Sequence, residues 1–121
     1  MREDRKEFIT QMKKRLLLYS KKAVLFVDSL PRDLSSQILA RQLLRCATSI
    51  AANFIEAQAA PTKKDFTNFL SIALKSANET LFWFSLFQEC RKGNQDIVTE
   101  LQSETTEFAN YLGSSIRTLR S

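Results

Sequence analysis

Turn-forming residues are almost missing from this chain, which has two glycines and two prolines in 121 residues. Ordinary domains use about 7% Gly and about 5% Pro. Sandwiches and barrels need a turn signal about every 8–12 residues, and βαβ folds need loops at every strand end. A chain with so little punctuation must therefore run in long helices.

The apolar spacing agrees. Ile9, Met12, Leu16, Tyr19, Ala23, Phe26 and Leu30 step by threes and fours, which places them on one face of a helix. Pro31 ends that helix, because the residue before a proline is pushed out of the helical region. Asp33, Ser35 or Ser36 can cap the next, whose stripe is Leu39, Leu43, Cys46, Ile50 and Phe54. Pro61 breaks the chain again, and Thr62 with Asp65 forms a capping signal for a third helix. Gly93 stops the third helix and Asn94 caps a fourth, carrying Ile97, Leu101, Phe108, Leu112 and Leu119. The expected helices span about residues 4–30, 35–58, 63–92 and 95–119 of a single domain, 1–121. Connections of a few residues make consecutive helices antiparallel neighbours, so the predicted fold is an all-α, up-down-up-down four-helix bundle.

Folding the chain back on itself sets expectations about contacts. If the second and third helices reverse at residues 60–61, Cys46 faces the region of Lys75, far from Cys90. That geometry excludes an intramolecular disulfide. With no His and no CxxC, the two thiols read as buried structural groups, and neither a metal nor another cofactor is expected. A polar stripe on the second helix (Gln42, Arg45, Ser49, Asn53, Glu56) should meet one on the third (Asn68, Ser71, Lys75, Asn78, Glu79). Arg45 then lies near Glu79 and Asn53 near Asn68. These residues read as an internal network that fixes helix register. Without a His, an activated thiol or a glycine-rich phosphate loop, they lack the parts of acyl or phosphoryl transfer, and no catalytic residue is expected.

The third helix carries Phe66, Phe69, Leu70, Ile72, Leu74, Leu81, Phe82, Trp83, Phe84, Leu86 and Phe87 around most of its circumference. A helix apolar on so many sides should be covered by another subunit, so the chain is expected to be an obligate homo-oligomer.

Charge is distributed unevenly along the predicted bundle. The net charge is +5. Cutting the bundle across its middle assigns the whole excess to the half made of residues 1–16, 47–77 and 107–121, with eleven basic and six acidic residues; the other half has seven of each. Lys13, Lys14, Arg15, Lys63, Lys64, Arg117 and Arg120 in the basic half are the candidate phosphate contacts. No helix-turn-helix spacing is present, and the aromatics sit on core-like positions, so binding is expected to be backbone-directed. The charged N-terminal stretch and the absence of a long apolar run predict a cytoplasmic protein with no membrane partner.

Residues 42–58 (QLLRCATSIAANFIEAQ) and 65–84 (DFTNFLSIALKSANETLFWF) resemble the four-helix bundle family of 23S rRNA intervening-sequence proteins, which includes the accessory variability determinants of diversity-generating retroelements. The resemblance spans roughly residues 37–90. It departs at Ala51-Ala52, where Gly-Ala is common, and at Phe54-Ile55, where Ile-Ala is common. It implies a small bacterial or phage protein that forms a ring-shaped homopentamer with a basic surface for nucleic acid, RNA foremost. In the retroelement branch a reverse transcriptase is the implied partner. The positions matching Arg45, Ser49, Asn53, Glu56, Ser71 and Glu79 are architectural on this resemblance.

Overall fold

The computed structural model describes residues 2–121. Among them are four helices and no strand: α1 (Arg2–Asp28), α2 (Leu34–Gln58), α3 (Lys63–Glu89) and α4 (Gln95–Arg120). Each helix packs on the next and α1 closes on α4, giving the antiparallel bundle; packing is most extensive between α2 and α3 and thinnest between α1 and α4.

The caps are built from the expected side chains. Asp33 accepts from the Ser36 N–H, Thr62 from the Asp65 N–H, and Asn94 from the Asp96 and Ile97 N–H groups. Each supplies an acceptor to amides that have no partner within the first helical turn.

The end of α3 differs from expectation. The helix stops at Glu89, and Arg91, at φ 53°, takes the left-handed position expected of Gly93. The Arg91 N–H bonds to the Gln88 carbonyl and the Lys92 N–H to the Phe87 carbonyl, closing a Schellman turn. Gly93 lies two residues beyond, at φ 78°, and a Cβ there would stand 2.8 Å from the Phe26 ring. Its place is fixed by backbone conformation and by close packing together. Cys90, expected to be buried, is the exposed C-cap residue of α3; Cys46 is buried and both thiols are free. Burial pushes the Cys46 thiol up, away from the reactive thiolate.

The core follows the predicted stripes. Met12, Leu16, Tyr19, Ala23 and Phe26 of α1 are buried, as are Leu43, Cys46, Ile50 and Phe54 of α2. Tyr19 is wholly enclosed, and its phenol shares a hydrogen bond with the Thr105 hydroxyl of α4. The Tyr19 ring meets Phe108 edge-on, at 5.1 Å between centroids. Phe26 lies edge-on to Phe87 and Phe84 at 5.3 and 6.4 Å. The bulky Phe54 at the departure from the family pattern is accommodated in the core, while Ile55 turns outward.

Two expectations about packing are corrected. The α2–α3 register is offset by about one turn. Reversal at 60–61 pairs Ser49 with residue 72, but Ser49 bonds to Ser76 at 2.9 Å. That contact centres the hairpin between residues 62 and 63, beyond the middle of the 59–62 connection, so the offset lies in how α3 slides along α2 and not in the position of the turn. Cys46 therefore lies near Glu79 and Thr80 instead of Lys75. The exposed apolar surface is also not concentrated on α3. Phe66, Phe69, Leu74 and Trp83 turn against the core, leaving Ile72 and Phe82 outside, whereas α1 exposes Phe8, Leu17, Leu18, Val24 and Leu25. Helix α3 packs along two neighbours and uses its wide apolar arc there.

Candidate nucleic-acid interface

The topology gathers the start of α1, the α2–α3 turn and the end of α4 at one end of the bundle. Lys63 and Lys64 occupy the first turn of α3 and are exposed. The amide end of a helix carries a partial positive charge, so two lysines there are electrostatically unfavourable for the helix. Together with the free amides of that turn they concentrate positive potential, and only Asp65 offsets it locally. Arg117 and Arg120 lie in the last turn of α4, where the dipole favours cations. The Arg120 guanidinium also donates to the Ser71 hydroxyl at 3.3 Å. No salt bridge engages Lys63, Lys64, Arg117 or Arg120 among the described residues.

The remaining predicted contacts are placed differently. Lys13 and Lys14 are exposed and likewise without a salt bridge, but they lie eleven and twelve residues along α1 from Arg2, roughly 16–18 Å at about 1.5 Å per residue. They stand on the flank of the bundle instead of its end. Arg15 is removed from the set. Its Nε bonds to Glu104 and its Nη2 to Glu107, both at 3.1 Å, and its guanidinium lies 4.6 Å from the Phe108 ring centroid. It staples α1 to α4 with its charge neutralised by two carboxylates, which leaves little for a phosphate.

The polar stripes meet only in part. Arg45 donates to Glu79 at 2.6 Å and to Gln42 at 3.1 Å, and the Trp83 indole N–H donates to the same Glu79 oxygen. Asn53 donates to Ser49, and Ser76 joins Ser49 across the helices. The Arg45 side chain is 63% exposed, so this is a surface seam instead of an internal network. Asn68 and Glu56 are exposed and take no part, since the one-turn offset carries Asn68 away from Asn53, and Ser71 serves the α3–α4 seam through Arg120. Trp83 and Ser76 were not anticipated as members. Ser76 falls on the line of Glu79 at helical spacing, which was the available signal.

A groove of about 290 Å³ also opens where α1, α3 and α4 come together, and Arg5, Phe66, Tyr111 and Thr118 are among its walls. No helix among the described residues is long and apolar enough to cross a membrane.

Fold and charge together define a small antiparallel helical bundle with one strongly cationic end. The 23S rRNA-intervening sequence protein family model matches residues 7–114, and the chain belongs to that family. Its backbone is similar to that of a protein with unknown function from the S23 ribosomal protein family of Bacteroides thetaiotaomicron. That match has 33% identity and a TM-score of 0.79, and covers 86% of this chain and 96% of the other. Among curated proteins, none matches this sequence.

Proposed function

We propose that this chain is a non-enzymatic, homopentameric accessory protein of the bacterial cytoplasm that binds RNA through phosphate contacts at its cationic end. The observation that carries the reading is the segregation of cations. Lys63, Lys64, Arg117 and Arg120 gather at one end without salt bridges, whereas of the cations Arg32, Arg91 and Lys92 at the other end Lys92 is paired with Asp33. Membership in a family named for 23S rRNA intervening sequences makes RNA the natural polyanion. Assembly draws on the outward apolar residues, with Leu17 at 72% and Phe82 at 58% exposure, which a second copy would shield. Side-by-side subunits multiply the cationic end into a ring.

Filter-binding titrations of a structured RNA at two salt concentrations test the binding. Affinity should fall steeply with salt, and no binding at low salt would sink the proposal. Light scattering tests the assembly, and a monomer overturns it. A second reading, a scaffold for a reverse transcriptase of a diversity-generating retroelement, is favoured by the run of Leu17, Leu18, Val24 and Leu25 on the outside of α1. Capture of that enzyme surviving nuclease and high salt supports it; capture abolished by nuclease treatment counts against it.

A further inference from the structure

We propose that the groove between the N-terminal turn of α1 and the α3–α4 seam holds a single nucleobase of unpaired RNA, with the adjoining phosphate on Arg5. The inference rests on the RNA-binding reading above and adds a base-reading pocket to a surface otherwise expected to recognise only backbone.

The open groove has a volume of about 290 Å³, just below the roughly 300–1,000 Å³ typical of ligand pockets, which suits one nucleobase better than a helix or a peptide. Its chemistry is divided in the way a base requires. Phe66 and Tyr111 are half-buried, so ring surface remains open to the groove. Tyr111 is held in place by its neighbours, with centroids 5.3 Å from Phe8 and 6.4 Å from Phe54. A fixed aromatic wall stacks on a base with little loss of side-chain entropy, and every base has a face to offer.

Polar groups border the Tyr111 ring on the same face of α4, where Tyr111, Ser114, Ser115 and Thr118 recur at helical spacing. Thr118 spends its hydroxyl on the Ser114 carbonyl one turn back, the usual habit of hydroxyls within a helix. The hydroxyls of Ser114, Ser115 and Tyr111 have no hydrogen-bond partner among the described residues, although all three border the groove. They are free to pair with the edge of a base or with a ribose. Arg5 contributes the cation, with Lys63, Lys64, Arg117 and Arg120 at the same end. An apolar ligand would make no use of Arg5 and the three hydroxyls, and a bare phosphate would leave the two rings unused.

The test uses the full-length protein and a single-stranded RNA carrying 5-iodouridine at one position, irradiated in complex, with the adduct mapped by mass spectrometry. An adduct on Tyr111 or Phe66 is expected. In parallel, one base of the oligonucleotide is replaced by an abasic site. Stacking of one base should make the intact RNA bind roughly 5- to 150-fold more tightly, by a margin that changes little with salt. Ser115→Leu, which fills the groove, should erase that margin while leaving the salt-dependent part of binding intact. Because the adduct is mapped on unaltered protein, the outcome does not depend on the variant folding. RNA binding with adducts confined to other residues, or with no abasic penalty, overturns the groove and spares the cationic end. A change of oligomeric state caused by Ser115→Leu identifies the groove as a socket for another subunit and also overturns the proposal. Absence of any RNA binding at low salt overturns both readings.

Discussion

The two ends of this bundle carry charge in opposite ways. At the end formed by the 29–33 and 90–94 connections, Lys92 bonds to the capping carboxylate Asp33 at 2.9 Å, and Lys22 bonds to Glu100 at 2.9 Å further along α1. Phe26, Phe84, Phe87 and Gly93 close the core beneath. At the other end Lys63 and Lys64 face the positive pole of their own helix with no carboxylate pairing. The first end uses Lys92 and Asp33 for folding, with Arg32 and Arg91 left exposed beside them. The other holds charges that folding does not need, and at Lys63 and Lys64 it holds them against local electrostatics. Local conflict of this kind marks a surface shaped for something outside the chain.

The sharpest way to separate the ends is to damage the first. Phe26→Ala removes a fully buried ring packed on Phe84 and Phe87, and should cost about 3–5 kcal/mol of stability, read by urea denaturation. RNA affinity of the fraction still folded should be unchanged. A matching loss of affinity would show that the ends are coupled. The converse experiment is Lys63→Glu with Lys64→Glu, expected to weaken RNA binding at least about tenfold and to flatten the salt slope by about 0.7 for each phosphate no longer neutralised. Lys21→Glu with Arg41→Glu changes net charge equally at exposed positions on α1 and α2, and is the control. Equal losses from both pairs would mean that total charge, and not its placement, governs binding.

How far these differences are legible in the sequence depends on the range over which each is determined. The caps Thr62 and Asn94 and the buried stripes are local properties of spacing, and they stand as expected. Arg91 shows the limit of local reading. Gly93 offers the better left-handed residue, yet the turn closes two residues earlier and Gly93 is required instead for its contact with Phe26. The one-turn register offset is a slide of α3 along α2, which the periodicity of neither helix reports. Arg15 could be placed on a cationic surface until the α1–α4 register set it beside Glu104 and Glu107. Phe66 and Tyr111 have the spacing of core residues, and only their place near the open end of the bundle leaves them half-exposed.

The acid response of the capped end should also differ from that of the cationic end. Hydrogen bonds from Ser36 and Lys92 hold the Asp33 carboxyl well below the usual carboxylate range. A carboxyl depressed by folding stabilises the native state above its unfolded pKa of about 3.9, and that contribution is lost as pH falls below it. Asp33→Asn keeps a capping oxygen but removes the charge. Its urea midpoint should lie below that of the parent at pH 7, and the gap should narrow as pH drops through 4 toward 2. A constant gap would mean that the Asp33 charge adds nothing beyond its cap.

The smallest effect addresses the comparison most directly. If Lys63 and Lys64 are retained for binding against the interest of their helix, Lys63→Ser with Lys64→Ser should make the protein more stable while making it bind RNA less well. Relief of the unfavourable dipole interaction is worth about 0.3–1 kcal/mol per lysine at low ionic strength, and it should fade as salt screens it. Serine has a slightly lower helix propensity than lysine, which subtracts a few tenths of a kcal/mol per site and makes the net gain modest. Lys63→Gln with Lys64→Gln avoids most of that correction, since glutamine and lysine are nearly equal in propensity. Thermal melts at low and high salt then separate the contributions, because the dipole gain shrinks with salt and the propensity cost does not. A gain with the Gln pair at low salt, lost at high salt and accompanied by weaker RNA binding, would show positive charge kept at a cost to the fold. A loss of stability with the Gln pair at low salt would instead make those lysines part of the scaffold, and the contrast between the two ends would fail.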